Sequence, residues 1–200
     1  MTITLRQLAE QARSASRQLA NLSAARKNEV LLAFAEKIQE NTESILSANQ
    51  KDLESAERLR RQGELSESSI QRLKLNVGKI EQMAKNFESV AALPDPVGQV
   101  QLATRLDEGL DLHQISCPIG VLLVIFESRP EVVVQISALT IKSGNAVILK
   151  GGKEASESNA CLFGILDQVL EKFADLPDGT VSLLQSREAV SEIVQQNDCL

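Results

Sequence analysis

Two hundred residues, 43% hydrophobic and 24% charged, describe a chain able to bury one substantial core and unlike a disordered one. A net charge of −6 and the absence of Trp and Tyr argue against a nucleic-acid partner, since neither a basic footprint nor a base-stacking platform is present. No apolar stretch is as long as a membrane span, no basic-then-apolar leader opens the chain, and three widely spaced cysteines fit reduced thiols; a cytoplasmic address with no membrane partner is expected.

Residues 1–92 read as a helical region. Leu5, Leu8, Ala12, Ala15 and Leu19 recur at helical spacing, and Ser23 caps a second segment with the stripe Val30, Leu31, Phe34 and Ile38. Asn41 or Thr42 starts a third helix through Ile45, Leu46 and Leu53. It enters the charged run Glu57 to Glu64, read as a solvated face, and stops at Gly63. Ser66 or Glu67 opens a fourth helix, predicted to carry Ile70, Leu73, Val77, Ile80, Met83 and Phe87 without interruption.

Residues 93–117 form the next unit. Leu93-Pro-Asp-Pro-Val-Gly98 breaks the helix, and Gln99 to Leu106 and Leu110 to Ser116, joined by Asp107-Glu108-Gly109, read as a β-hairpin. Such a hairpin lies outside the main sheet and needs something to pair with, so it is a candidate oligomerisation arm for a second copy of the chain. His113, the sole histidine, falls in this hairpin as an ordinary polar position.

Residues 118–200 carry the α/β pattern. Gly120 to Phe126 is a Val- and Ile-rich run suited to a strand buried on both faces. A helix follows, with Pro130 in its first turn, Ser128 as a possible cap and Gly144-Asn145 as its stop; Ala146 to Leu149 is then a second, parallel strand. A helix over Ser156 to Phe173, a break at Leu176-Pro-Asp-Gly179, a strand at Val181 to Leu184 and a short helix over Glu188 to Val194 complete the reading.

Open sheets of this kind bind ligands beyond the carboxyl ends of their strands. Those ends here carry Glu127-Ser128-Arg129 and Lys150-Gly151-Gly152-Lys153. Gly151 and Gly152 admit a close backbone approach, and Lys150 and Lys153 place cations near a helix N-terminus, an arrangement suited to a phosphate. A glycine turn with two solvated lysines is the plainer alternative. Val147 stands where a Walker loop needs glycine, Glu154 replaces its magnesium-holding hydroxyl, and no G-x-G-x-x-G follows either strand, so a kinase-like phosphate loop is remote.

Several blocks together carry a resemblance: Pro118-x-Gly-Val, Phe-Glu-Ser-Arg-Pro at 126–130, Lys-Ser-Gly-Asn at 142–145 and Lys-Gly-Gly-Lys-Glu-Ala at 150–155, with Ala48-Asn49, Asp52-Leu53, Arg72-Leu73-x-Leu75 and Leu93 to Gly98. The chain resembles the gamma-glutamyl phosphate reductase (glutamate-5-semialdehyde dehydrogenase) family of the aldehyde dehydrogenase superfamily, and the reductase module of delta-1-pyrroline-5-carboxylate synthase. The resemblance implies an α/β fold with an aldehyde-dehydrogenase-like, Rossmann-type parallel sheet, an N-terminal helical region and a β-hairpin arm. Residues 118–200 would then be an incomplete NADP-binding domain.

The implied activity is NADPH-dependent reduction of L-glutamyl 5-phosphate to L-glutamate 5-semialdehyde in proline biosynthesis, through a cysteine nucleophile. The cofactor NADP(H) would sit on Lys150, Gly151, Gly152 and Lys153. Lys153 stands where NAD-specific relatives carry an acid, and a cation there favours a 2′-phosphate. Ser128 falls at the position of the superfamily's oxyanion-hole Asn, so Ser128 and Arg129 are candidate substrate contacts; a cap and an ion pair with Glu127 or Glu131 are the structural alternatives.

The family's nucleophile lies in a Cys-Asn-Ala segment that these 200 residues do not contain. Cys117 and Cys161 read as packing residues, and Cys199 does not match the motif. No metal site is expected. The chain therefore reads as an N-terminal portion of the reductase without its covalent machinery, or alternatively as a noncatalytic NADP-binding or subunit-pairing module.

Overall fold

The computed structural model describes residues 4–184 and 188–195, so Cys199 lies outside the described residues. Thr4 and Gln7 form a reciprocal capping box, and α1 (Leu5–Leu19) buries Ala9, Ala12, Ala15 and Leu19 completely. The Ser23 hydroxyl accepts the Arg26 N–H to start α2 (Ala24–Glu40), as its position predicted. α3 (Thr42–Arg61) stops just before Gly63, whose φ of +80° suits glycine. Arg58 and Arg60 to Glu64 face solvent.

The helix predicted from Ser66 to beyond Phe87 is two helices, α4 (Glu67–Leu73) and α5 (Val77–Ala92). Asn76 caps α5, its Oδ1 accepting the Lys79 N–H at 2.8 Å. The break itself is bridged from afar. Buried Asn49 of α3 donates to the Leu73 carbonyl and accepts the Leu75 N–H, both at 2.9 Å. Backbone groups that a continuous helix would have paired are paired by a side chain instead.

The hairpin forms as β1 (Val100–Asp107) and β2 (Leu110–Ile115), turning at Gly109 with φ +75°. Its base is closed by the Gly98 N–H on the Ser116 carbonyl and the Ser116 N–H on the Gln99 carbonyl. Every residue of both strands is exposed, including Leu102, Leu106, Leu110 and Leu112. Where the chain leaves α5, buried Lys27 pairs with Asp95 at 3.0 Å, and Lys142 donates to Asn28 Oδ1 and to the Ala91 carbonyl. Burial pushes the Lys142 ammonium below the usual lysine range. The Lys27–Asp95 pair fixes the Leu93 to Gly98 segment against α2, and the Lys142 bonds hold the end of α5.

β3 (Val121–Ile125), β4 (Ala146–Lys150) and β5 (Val181–Leu184) form a parallel sheet in the order β3-β4-β5, with Ile125 beside Lys150 and Lys150 beside Leu184. Central β4 is wholly buried, which explains its unbroken apolar run. α6 (Glu131–Lys142) connects β3 to β4 and ends at Gly144, φ +72°. After a 3₁₀ turn at Lys153–Ala155, α7 (Ser156–Leu170) leads to β5; it ends three residues short of Phe173. α8 (Glu188–Val194) is the last element.

The core runs from α1 through α2 and α5 to the sheet, α6 and α7. The α2–α5 contact centres on Phe34 and Phe87, both fully buried with ring centroids 5.2 Å apart. A smaller cluster of Ala56, Ile70, Leu73 and Ala155 joins α3 and α4 to the 3₁₀ turn. Cys161 is partly buried against the main core, and burial raises its thiol pKa. Cys117, expected to pack, is exposed instead: it lies between the exposed hairpin and β3, where no apolar layer covers it.

Candidate functional site

The ladder pairing of β3 with β4 continues one step further, the Phe126 N–H donating to the Lys150 carbonyl at 3.0 Å, so the two strand-end loops leave the sheet side by side. In the first loop Ser128 is buried and adopts φ +51°, the left-handed region that non-glycine residues rarely occupy. Ser128 does not cap α6: Pro130 holds the N-cap position. The Ser128 N–H and hydroxyl both donate to Glu154 Oε1, at 2.6 and 2.7 Å. Arg129 is exposed and makes no ion pair among the described residues; neither Glu127 nor Glu131 holds it.

The second loop is differently built from the open phosphate cradle that its sequence suggests. Lys150 is 6% exposed and its ammonium bonds the Gly151 carbonyl. Lys153 is the exposed cation. Neither glycine has a positive φ. A Cβ on Gly151 would lie 2.1 Å from the Asn159 amide nitrogen, and one on Gly152 would lie 2.2 to 2.5 Å from the Glu154 carboxylate. Both positions are kept small by side chains of the chain itself.

The α7 N-terminus is also served from within. Asp52 of α3, 3% exposed, accepts the N–H groups of Glu157 and Ser158 at 3.0 and 2.7 Å, and Asn49 donates to the Ser158 hydroxyl at 3.0 Å. Desolvation raises the Asp52 pKa despite these hydrogen bonds. Beyond the carboxyl ends of β4 and β5 lies a cleft of about 310 Å³ whose walls include Gly151, Gly152, Lys153, Glu157, Asn159 and Leu183. Asn159 is 3% exposed, and its Oδ1 has no hydrogen-bond partner.

Residues 4–199 match the aldehyde dehydrogenase family. The chain belongs to that family. A relative named gamma-glutamyl phosphate reductase, from Natronomonas pharaonis, is 44% identical over 198 residues, covering 99% of this chain and 44% of its own length. Crystal structures of gamma-glutamyl phosphate reductase from Saccharomyces cerevisiae and Thermotoga maritima superpose with TM-scores of 0.91 and 0.88, at 39% and 34% identity. They cover 100% and 98% of this chain and 50% and 47% of theirs. The chain thus spans about half the length of the relatives it matches. The α/β fold expected from the crossover pattern is the one these structures share.

In this aldehyde dehydrogenase family member the fold brings all six candidate residues to one end of the sheet, in two adjacent loops. Lys153, Gly151 and Gly152 line the cleft. Lys150 is not among its walls, and the Ser128 donors are already engaged. Reading by motif missed Glu154, Asn159, Asn49 and Asp52 as site-forming residues. One signal was available for the last two: Ile45, Asn49, Asp52 and Ala56 occupy a single face of α3, so two polar side chains stand where apolar ones are expected. His113 is exposed on β2, and no metal-binding cluster exists among the described residues. No helix among the described residues is long and apolar enough to cross a membrane.

Gly151→Ala separates packing from ligand approach. It is expected to destabilise the ligand-free chain by about 1–3 kcal/mol, because the buried Asn159 amide must move. A denaturant midpoint equal to wild type would mean that the glycine serves only a ligand.

Proposed function

We propose that this chain binds the adenosine end of NADP(H) in the cleft beyond β4 and β5, as part of an NADPH-dependent reduction of L-glutamyl 5-phosphate to L-glutamate 5-semialdehyde in proline biosynthesis. The observation that carries the reading is Lys153: an exposed cation on the rim of a cleft at the carboxyl ends of parallel strands, in a chain whose relatives bear the reductase name. The donor set suits that group. Lys153 pairs with a 2′-phosphate, and the unpartnered Asn159 Oδ1 accepts a hydrogen bond from an adenosine hydroxyl.

When bound, the cofactor supplies hydride. The residues here hold and orient it, while Arg129, uncommitted to any ion pair among the described residues, is the candidate for the acyl phosphate. None of the three cysteines lies in a Cys-Asn-Ala segment, so the 200 residues alone bind nucleotide without turning over. The exposed leucines of the hairpin favour pairing of two copies through that arm, since an isolated two-stranded ribbon is marginal in water.

Titration of reduced-nicotinamide fluorescence tests the reading against a chain with no Trp background. NADPH is expected to bind more tightly than NADH. Lys153→Ala should weaken NADPH about tenfold, the lower end of what a charge-assisted hydrogen bond at an exposed site supplies, and leave NADH unchanged. Equal affinities for the two nucleotides in wild type would remove Lys153 from the 2′-phosphate.

A further inference from the structure

Ser128 presents an unusual combination. A non-glycine residue in the left-handed region persists only where its surroundings over-determine it. Here one group does so: Glu154 Oε1 accepts both the N–H and the hydroxyl of Ser128. The two residues belong to different loops, one after β3 and one after β4, 26 positions apart in the chain.

The path of the Glu154 side chain is itself built in. Gly152 has φ −66° and ψ 155°, a conformation open to any residue, so glycine is not demanded by the backbone. What glycine leaves open is the space that the Glu154 carboxylate occupies, since a Cβ there would meet all three carboxylate atoms and push the side chain away. On the other side Ala155 is fully buried in the cluster with Ala56, Ile70 and Leu73, which anchors the 3₁₀ turn that carries Glu154. Lys153, the preceding residue, forms the rim of the cleft. Glu154 therefore stands between an anchored turn, the nucleotide cleft and a strained turn whose next residue is the exposed Arg129.

We propose that Glu154 is a positioning residue that couples the nucleotide cleft to the Ser128–Arg129 turn. It holds Ser128 in the left-handed conformation and so sets the direction in which Arg129 leaves the end of β3; a ligand seated over Gly152 and Lys153 shifts Glu154 and is felt at Arg129. Ser128 acts in this arrangement as the held group, with both donors used inside the protein. The ligand side of the proposal rests on the NADP(H) reading above, whereas the conformational side does not.

The test uses the isotope-labelled 200-residue chain, observed by NMR at the backbone of Ser128, Arg129, Gly152 and Lys153, with Glu154→Ala, Glu154→Gln and Gly152→Ala beside wild type. Without nucleotide, the Ser128 carbon shifts should report a positive φ in wild type and lose it in Glu154→Ala. Gly152→Ala, which leaves Ser128 and Glu154 unsubstituted but displaces the carboxylate, should lose it too, and Glu154→Gln, which keeps one acceptor, should retain part of it. With NADPH, all four wild-type amides should move with one midpoint, and in Glu154→Ala only Gly152 and Lys153 should still respond. A positive Ser128 φ surviving in both Glu154→Ala and Gly152→Ala overturns the positioning role. An NADPH response at Ser128 and Arg129 that is absent in wild type, while Gly152 and Lys153 respond, or that is equal in Glu154→Ala, overturns the coupling. Silence of Gly152 and Lys153 in wild type counts against the nucleotide reading instead, and the ligand-free comparison still decides the role of Glu154.

Discussion

Asp52→Ala is expected to lower the unfolding free energy by roughly 2–4 kcal/mol, because it removes the side-chain acceptor of two N–H donors, one buried and one part-buried, together with the buried carboxylate that fills the site. The carboxylate, 3% exposed, accepts from Glu157 and Ser158 at the first turn of α7. For a chain of this size each kcal/mol moves the melting temperature by about 2–4 °C, so a scan resolves the effect easily. Glu157 and Asn159 are walls of the cleft, so faster amide exchange over 157–160 and weaker NADPH binding should accompany the loss. A melting temperature within about 1 °C of wild type would show that the first turn of α7 does not depend on this cap.

Asp52→Asn keeps an acceptor and sheds the buried charge, so it should cost less. Its pH dependence has a definite sign. Desolvation raises the folded-state pKa of Asp52 above its unfolded value, so the folded chain binds more protons in that window. Wild-type stability relative to Asp52→Asn therefore falls as pH climbs from the ordinary aspartate value of about 3.9 through the raised one, and is level on either side. The opposite slope would mean that the two backbone hydrogen bonds outweigh desolvation.

Phe34→Ala is expected to cost about 3–5 kcal/mol, the range for emptying a fully buried aromatic site. Phe34 and Phe87 sit at the centre of the most extensively packed helix pair, α2 and α5, with their rings tilted at 49°. Removal of one ring forfeits the pair interaction as well as the buried area. Denaturant unfolding should show a lower midpoint with an unchanged slope. Because neither Phe34 nor Phe87 is among the walls of the cleft, NADPH affinity at a temperature where the variant stays folded should match wild type. A loss of affinity there would show that the helical half tunes the cleft.

Much of the architecture was legible because its causes are local. The stripe Val30, Leu31, Phe34 and Ile38, the cap at Ser23 and the alternation around Asp107-Glu108-Gly109 each declare an element within a few residues. Gly144 ends α6 for a reason that its own φ supplies. The break between α4 and α5 was not legible, since Ile70, Leu73, Val77 and Ile80 keep helical spacing across it. Asn76 caps α5 locally, but the backbone groups that the break leaves open are paired by Asn49, on another helix.

The same division runs through the candidate site. Sequence alone determined which loops meet at the end of the parallel sheet, because a strand, a crossover helix and a second strand leave few ways to pack, and it marked Lys153 as the distinctive cation. Tertiary structure decided what the other residues do. It turned Lys150 inward onto Gly151, closed Ser128 on Glu154, gave the α7 N-terminus to Asp52 and filled the space over both glycines with Asn159 and Glu154. Each of these rests on where a side chain lies in space; Asp52 and Ser158 are 106 positions apart, and no spacing rule along the chain connects them.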